Sequence, residues 1–114
     1  MSIHPSFIFG RNLLQRSIQE LGGTNGLLWT SLTSPQPVVT PWGVHVLDVV
    51  EAHIKALIAD APSGSKYLVT PPVFSWNGTA ECVKEKYPKV PVKLEQQPEK
   101  EWLIDTARAE TDWA

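Results

Sequence analysis

Only one cysteine, Cys82, stands in 114 residues, so no internal disulfide can form and the chain falls outside the small stapled secreted domains. Long apolar runs are missing too. The longest, Val44 to Val50, is broken by His45 and Asp48 and is far shorter than the roughly 20 residues of a membrane span. Met1-Ser2-Ile3-His4-Pro5 has neither the basic region nor the apolar core of a secretion signal. With the single thiol, this points to a reducing, cytoplasmic compartment. Charge of one sign is also scarce: 10 basic and 12 acidic residues leave a formal charge of -2, evenly scattered. No basic field exists for a phosphate backbone, so nucleic acid is not an expected partner. His45 and His53 are not spaced i,i+4, and His4 and Cys82 match no metal-ligand pattern, so no metal site is expected. Asn77-Gly78-Thr79 fits a glycosylation sequon but, without a signal, reads as a turn or helix start.

What is present is ordinary globular material, 42% hydrophobic and 19% charged, with a length that suits one domain over residues 1–114. Ser2 to Phe9 reads as a short strand whose Pro5 marks an edge or an end. From Asn12 to Leu21 the residues Leu13, Leu14, Ile18 and Leu21 recur at helical spacing, with Asn12 as cap and Gly22-Gly23 as stop. Leu27 to Leu32 reads as a short helix, with a strand as the alternative. Val38-Val39-Thr40 reads as a strand, and Pro41-Trp42-Gly43 as a turn into Val44. The strongest periodicity follows: Val46, Val50, Ile54, Leu57 and Ile58 share one stripe, and Glu51 and Lys55 stand i,i+4 on another face. This predicts a helix over 48–59 capped by Asp48. Lys66 to Thr70 is a strand candidate. Ser75 can cap a helix running to Lys86, with Ala80, Val83 and Tyr87 inside, and Cys82 reads as packing. Val90 to Leu94 is extended, and a last short helix is expected around Thr106 to Thr111. The alternation implies an α/β or α+β fold, a few short strands packed with three to four helices.

Several blocks together resemble the C-terminal, substrate-binding part of extended short-chain dehydrogenase/reductases. His4-Pro5-Ser6-Phe7-Ile8-Phe9-Gly10 is similar to the strand and loop after that family's Tyr-x-x-x-Lys helix. Val44-His45-Val46-Leu47-Asp48-Val49-Val50-Glu51-Ala52-His53 is similar to its V-H-V-x-D-V-A-x-A-H block. Gly64 to Val69 resembles its late strand, and Leu103-Ile104-Asp105-Thr106-Ala107-Arg108-Ala109-Glu110 a block near its C-terminus. The subgroup resembled is that of fungal aldehyde or ketone reductases, of the dihydroflavonol and methylglyoxal reductase type. Two family features are missing. No glycine opens a strand-to-helix turn that could cradle a pyrophosphate, and both Tyr67 and Tyr87 are followed four residues later by proline, not lysine. Relative to the family, the chain is truncated at both ends.

The resemblance places Pro5, Ser6 and Phe7 at a nicotinamide contact, which by itself carries little affinity. It also implies an apolar substrate wall at Leu13, Leu14, Trp29, Trp42 and Phe74, all equally suited to a core. Arg11 stands where relatives carry proline and could hold a carboxylate or enolate; His45 and His53 could exchange protons. The simpler reading makes Arg11 a solvated surface cation and the histidines partly buried groups serving the backbone. Two functions follow as expectations. One is a reductase remnant that binds a small molecule and carries out a non-redox step such as isomerisation or cyclisation in secondary metabolism. The other is a structural fragment or subunit of an NAD(P)-dependent oxidoreductase, completed in trans. No cofactor is expected on this chain alone, and a homodimer is expected because two strands lack their neighbours. Calorimetric titration of the 114-residue chain with NADPH or NADH should therefore give no measurable heat of binding; micromolar affinity would overturn the reading of the missing turn.

Overall fold

The computed structural model describes residues 1–71, 74–100 and 104–112, and the chain gathers into two compact units. The first unites Met1–Gly10, Trp42–Val73 and Trp102–Ala114; the second unites Arg11–Pro41 and Phe74–Glu101. Its elements are β1 (Ser2–Pro5), β2 (Phe7–Phe9), α1 (Gly23–Thr33), β3 (Gly43–His45), α2 (Val46–Ile58), β4 (Lys66–Val69), α3 (Trp76–Lys86) and α4 (Ala107–Asp112), with a 3₁₀ turn at Ile18–Glu20. The fold is mixed α/β: four helices and short parallel strands in two small sheets among the described residues.

In the first unit β1 pairs in parallel with β4, Ser2 opposite Lys66 and Pro5 opposite Val69. β2 pairs in parallel with β3, Phe7 opposite Gly43 and Phe9 opposite His45. The single strand expected from Ser2 to Phe9 is thus two. Pro5 has no N–H to extend the ladder, so the backbone breaks at Ser6 and changes partner. Ser6 bridges the break, its N–H donating to the Val69 carbonyl at 3.3 Å and its hydroxyl to Thr70 Oγ1 at 2.8 Å. Val44, Val49, Ala52 and Tyr67 are the buried apolar residues of this unit.

α2 matches the predicted helix closely, but its cap and its inner face differ. The N-cap is His45, whose Nδ1 accepts from the Leu47 N–H at 3.3 Å, while Asp48 lies in the first turn, where its charge complements the helix dipole. Most of the stripe from the sequence points outward: Val50, Ile54, Leu57 and Ile58 are 48%, 59%, 85% and 85% exposed, while its first residue, Val46, is half-buried and Val49 and Ala52 are buried. Small side chains on that other face let the helix lie close to β2 and β3. The helix has two apolar sides, and periodicity does not say which one meets a partner.

In the second unit the helix expected from Asn12 to Leu21 is a turn. Asn12 Oδ1 accepts from the Leu14 N–H at 3.0 Å, and Glu20 Oε2 from the Arg16 N–H at 2.6 Å. Side chains that bond local backbone compete with helix. Leu13, Leu14 and Ile18 are exposed, so no packing repays nucleation of so short a helix. Gly22-Gly23, read as a stop, instead begins α1, which contains Leu27 to Leu32 and settles that segment as helical. Val38 to Thr40 forms no strand; Pro35, Pro37 and Pro41 remove ladder donors, and the Val38 N–H donates to Ser31 Oγ at 3.0 Å. α3 is capped by Ser75, which accepts from the Gly78 N–H at 3.2 Å, as predicted. Trp76 and Ala80 face the core with Leu32 and Leu94, flanked by Val83, whereas Tyr87 and Cys82 are exposed. Leu94 arrives on the extended segment expected at 90–94, held by N–H bonds from Lys93 and Leu94 to the Leu32 carbonyl. Asn77, of the sequon, exchanges two bonds with the Gln97 backbone.

Gly10 ends β2 with φ +143°, and a Cβ there would stand 2.6 Å from Val46 Cγ1. Strained backbone and overlap with the first residue of α2 act together. Gly10→Ala should therefore lower unfolding free energy by more than about 1 kcal/mol in urea titration, beyond the usual worth of a glycine's flexibility. A neutral or stabilising effect would show that the close approach is absent in solution.

Candidate functional site

The first unit carries an open cleft of about 450 Å3 at the carboxyl end of β4. Val44 and Ala52 give it an apolar base; Leu68, Val69, Thr70 and Pro71 line one side. Asp48, Glu51 and Lys55 come from α2, and Thr106, Ala109 and Glu110 from the start of α4. Crevices beyond the carboxyl ends of parallel strands are where α/β sheets take ligands, because the strand-to-helix loops leave a gap there.

Each wall has a local cause. Thr70, buried, accepts from Ser6 and donates to the Pro71 carbonyl at 3.3 Å, so its hydroxyl is held by the β1–β4 junction. α4 is only six residues and needs anchors. Tyr67, fully buried, donates its hydroxyl to Asp112 Oδ2 at 2.7 Å. Arg108 lies over the Tyr67 ring at 5.6 Å, stands 3.6 Å from Asp112 Oδ2, and donates to Ser65 Oγ at 3.0 Å. Ser65 in turn donates to the Pro62 carbonyl. Thr106 Oγ1 donates to Glu110 Oε1 at 2.6 Å, closing the first turn of the helix.

Chemically the cleft is an acceptor site. Asp48, Glu51 and Glu110 bring three carboxylates against one ammonium, Lys55, which already pairs with Glu51 at 3.0 Å. The Thr70 hydroxyl is spent on protein partners. An apolar body carrying hydroxyl or amino donors fits such a lining, its body against Val44, Ala52 and Leu68 and its donors toward the carboxylates.

None of the residues singled out from the sequence as site candidates lines this cleft, although Asp48, Glu51 and Lys55, read there as a helix cap and an i,i+4 pair, do. Leu13, Leu14, Trp29 and Phe74 belong to the second unit and Trp42 to the first; Leu13 and Leu14 are exposed, and Phe74 packs edge-on against Trp76 at 5.1 Å. Arg11 is an exposed residue of the second unit. His45 and His53 are exposed, not partly buried, and both serve backbone: His45 caps α2, and the His53 ring lies 2.7 Å from the Val49 carbonyl oxygen. Pro5 and Ser6 form the strand break and Phe7 opens β2. No grouping of three His, Cys, Asp or Glu able to hold a metal occurs among the described residues. Sequence reading passed over Thr70, Thr106 and Glu110, although the last two stand in the block Leu103 to Glu110 that carried the family resemblance.

The chain is similar to a fungal ketoreductase. It is 36% identical over 119 residues to "Ketoreductase sphI" of Aspergillus fumigatus, an alignment covering 98% of this chain and 35% of that protein. The chain thus spans about a third of the length of the curated relative it matches. No family model and no solved structure matches it. No described helix is long and apolar enough to cross a membrane.

The anchoring of α4 can be tested through Tyr67. Tyr67→Phe keeps the buried ring and removes the bond to Asp112, with an expected loss of about 1 kcal/mol. Hydrogen exchange at amides 107–112 should quicken while β4 stays protected. Unchanged protection of α4 would show that the hydroxyl does not hold it.

Proposed function

We propose that this chain is a reductase-derived small-molecule binder whose ligand occupies the cleft at the end of β4. Its kinship to part of a fungal ketoreductase supports the reductase origin, and the motif resemblance is the ground for placing it among aldehyde and ketone reductases of the dihydroflavonol and methylglyoxal reductase type. The observation that carries the site is the gathering of Asp48, Glu51 and Glu110 in one cleft with the buried apolar residues Val44 and Ala52. Such a lining suits a hydroxylated ketone or related intermediate of secondary metabolism. It would orient a substrate for a non-redox step such as isomerisation or cyclisation by fixing its donor groups, without a hydride carrier on this chain. Leu13, Leu14, Trp29, Trp42 and Phe74, the apolar wall that the resemblance implied, line no part of this cleft and are not contacts of its ligand in this reading; a cytoplasmic homodimer is the proposed state of the protein.

A second reading is favoured by coverage. Because the match takes in only 35% of the ketoreductase, the chain also suits a piece that completes an NAD(P)-dependent oxidoreductase supplied in trans. Two-stranded parallel sheets support it, since parallel sheets are ordinarily larger and covered on both faces.

2-Hydroxyacetophenone serves as probe for the first reading. Titrated into isotopically labelled protein, it should shift the amides of Leu68–Thr70 and Ala107–Glu110, and Ala109→Trp, which fills the cleft, should abolish those shifts. Shifts confined to the second unit, or unaffected by Ala109→Trp, would place the ligand elsewhere.

A further inference from the structure

The outward side of α2 bears more exposed apolar side chains than any other single described element: Leu47, Val50, Ile54, Leu57 and Ile58. At helical geometry they fall within an arc of about 100°. Leu47, Val50, Ile54 and Leu57 follow the alternating three- and four-residue spacing of a helix-pairing seam. The opposite side, through Val49 and Ala52, already binds the helix to its own unit, so the seam is spare. Glu51 and Lys55 run along one margin of it, both substantially exposed.

We infer that α2 is the surface through which two copies of this chain associate, antiparallel, about a two-fold axis near Ala52 and His53. The inference rests on the homodimer reading above and names its interface. Charge decides the occupant and the direction. In a parallel pair the two-fold axis sets the Glu51 and Lys55 margin of each copy against the other copy's opposite margin, that of Val46 and His53, where neither charge meets an opposite one. With the axis at the middle of the seam, Leu47 of one copy lies across from Ile58 of the other and Val50 beside Ile54. A two-fold axis of that kind keeps the same margins together, so Glu51 comes level with Lys55 of the second copy, twice by symmetry. The helix dipoles then oppose, and the Asp48 end of each copy lies near the other's carboxyl end. The surface is self-complementary in charge. A seam of one 13-residue helix falls at or below the ordinary interface of about 800 Å² per partner, so association at micromolar concentration is expected.

Light scattering with size exclusion, run on the whole chain at up to about 100 micromolar, tests this together with four variants. The unaltered chain should be a dimer. Ile54→Lys should weaken association roughly tenfold or more while far-UV circular dichroism stays unchanged. Glu51→Lys and Lys55→Glu should each weaken it by like-charge contact, and the double variant E51K/K55E should recover it. The charge series keeps the test decisive if Ile54→Lys misfolds, since both charged side chains lie on the surface. A chain that stays monomeric at every concentration overturns the homodimer reading and this interface with it. A dimer indifferent to Ile54→Lys and to the charge series keeps the homodimer and overturns the placement on α2.

Discussion

The parallel pairing of β1 with β4 is the constraint on which the first unit depends. It joins residues 2–5 to residues 66–69, a long closure whose entropy the strand pairing and its packing must offset. Three consequences follow from that register. Ile3 lies opposite Tyr67, which fixes the ring inside and aims its hydroxyl at α4. The ladder ends at Pro5 and Val69, so Ser6 and Thr70 meet where the strands separate, and the cleft opens at that separation. The backbone freed at Ser6 then enters β2 and pairs with β3, which leads directly into α2. Slip the pairing by one residue and Tyr67 would face the other side of the sheet, taking the anchor of α4 with it.

Much of this was legible where local chemistry and tertiary need agree. α2 has strong periodicity, and α3 has a serine at its start and prolines beyond its end; both came out with bounds near those expected. β4 lies between Gly64 and Pro71, two residues that interrupt strands, and little else could form there. The failures share one cause. Asn12 to Leu21 carries a helical pattern, yet its leucines are exposed and its polar side chains bond their own turn, so the pattern had nothing to pack against. Val38 to Thr40 has strand-forming residues but sits among prolines. On α2 the more hydrophobic side is the one left outward, because Val49 and Ala52 permit closer approach than bulky leucines do. Periodicity reports that a face is apolar; only the rest of the fold decides what it meets.

The site was less legible than the fold for a related reason. Histidines and aromatic residues attract notice in a sequence because their side chains are distinctive, yet here His45 and His53 are engaged with backbone and Phe74 with Trp76. The cleft is instead lined by threonines, carboxylates and small apolar groups whose significance comes only from being assembled by β4, α2 and α4. The Glu51–Lys55 spacing was visible and reads as ordinary helix support, worth a few tenths of a kcal/mol when exposed. Nothing in the spacing reveals that both residues also border a concavity.

That double position links the two proposals physically. Glu51 and Lys55 line the cleft and also edge the outward seam of α2, so one ion pair at 3.0 Å is shared between a ligand surface and a contact surface. In the antiparallel dimer each Lys55 gains a second carboxylate, from the other copy, and its hold on its own Glu51 is correspondingly divided. By the same symmetry each Glu51 gains a second ammonium, so a donor in the cleft competes with two lysines for its carboxylate. Linkage requires the reverse effect to be equal: a ligand that draws Glu51 toward itself changes the charge presented along the seam and shifts association by the same factor. Because the ligand's donor and the second copy's Lys55 draw on the same carboxylate, ligand binding and association compete for Glu51.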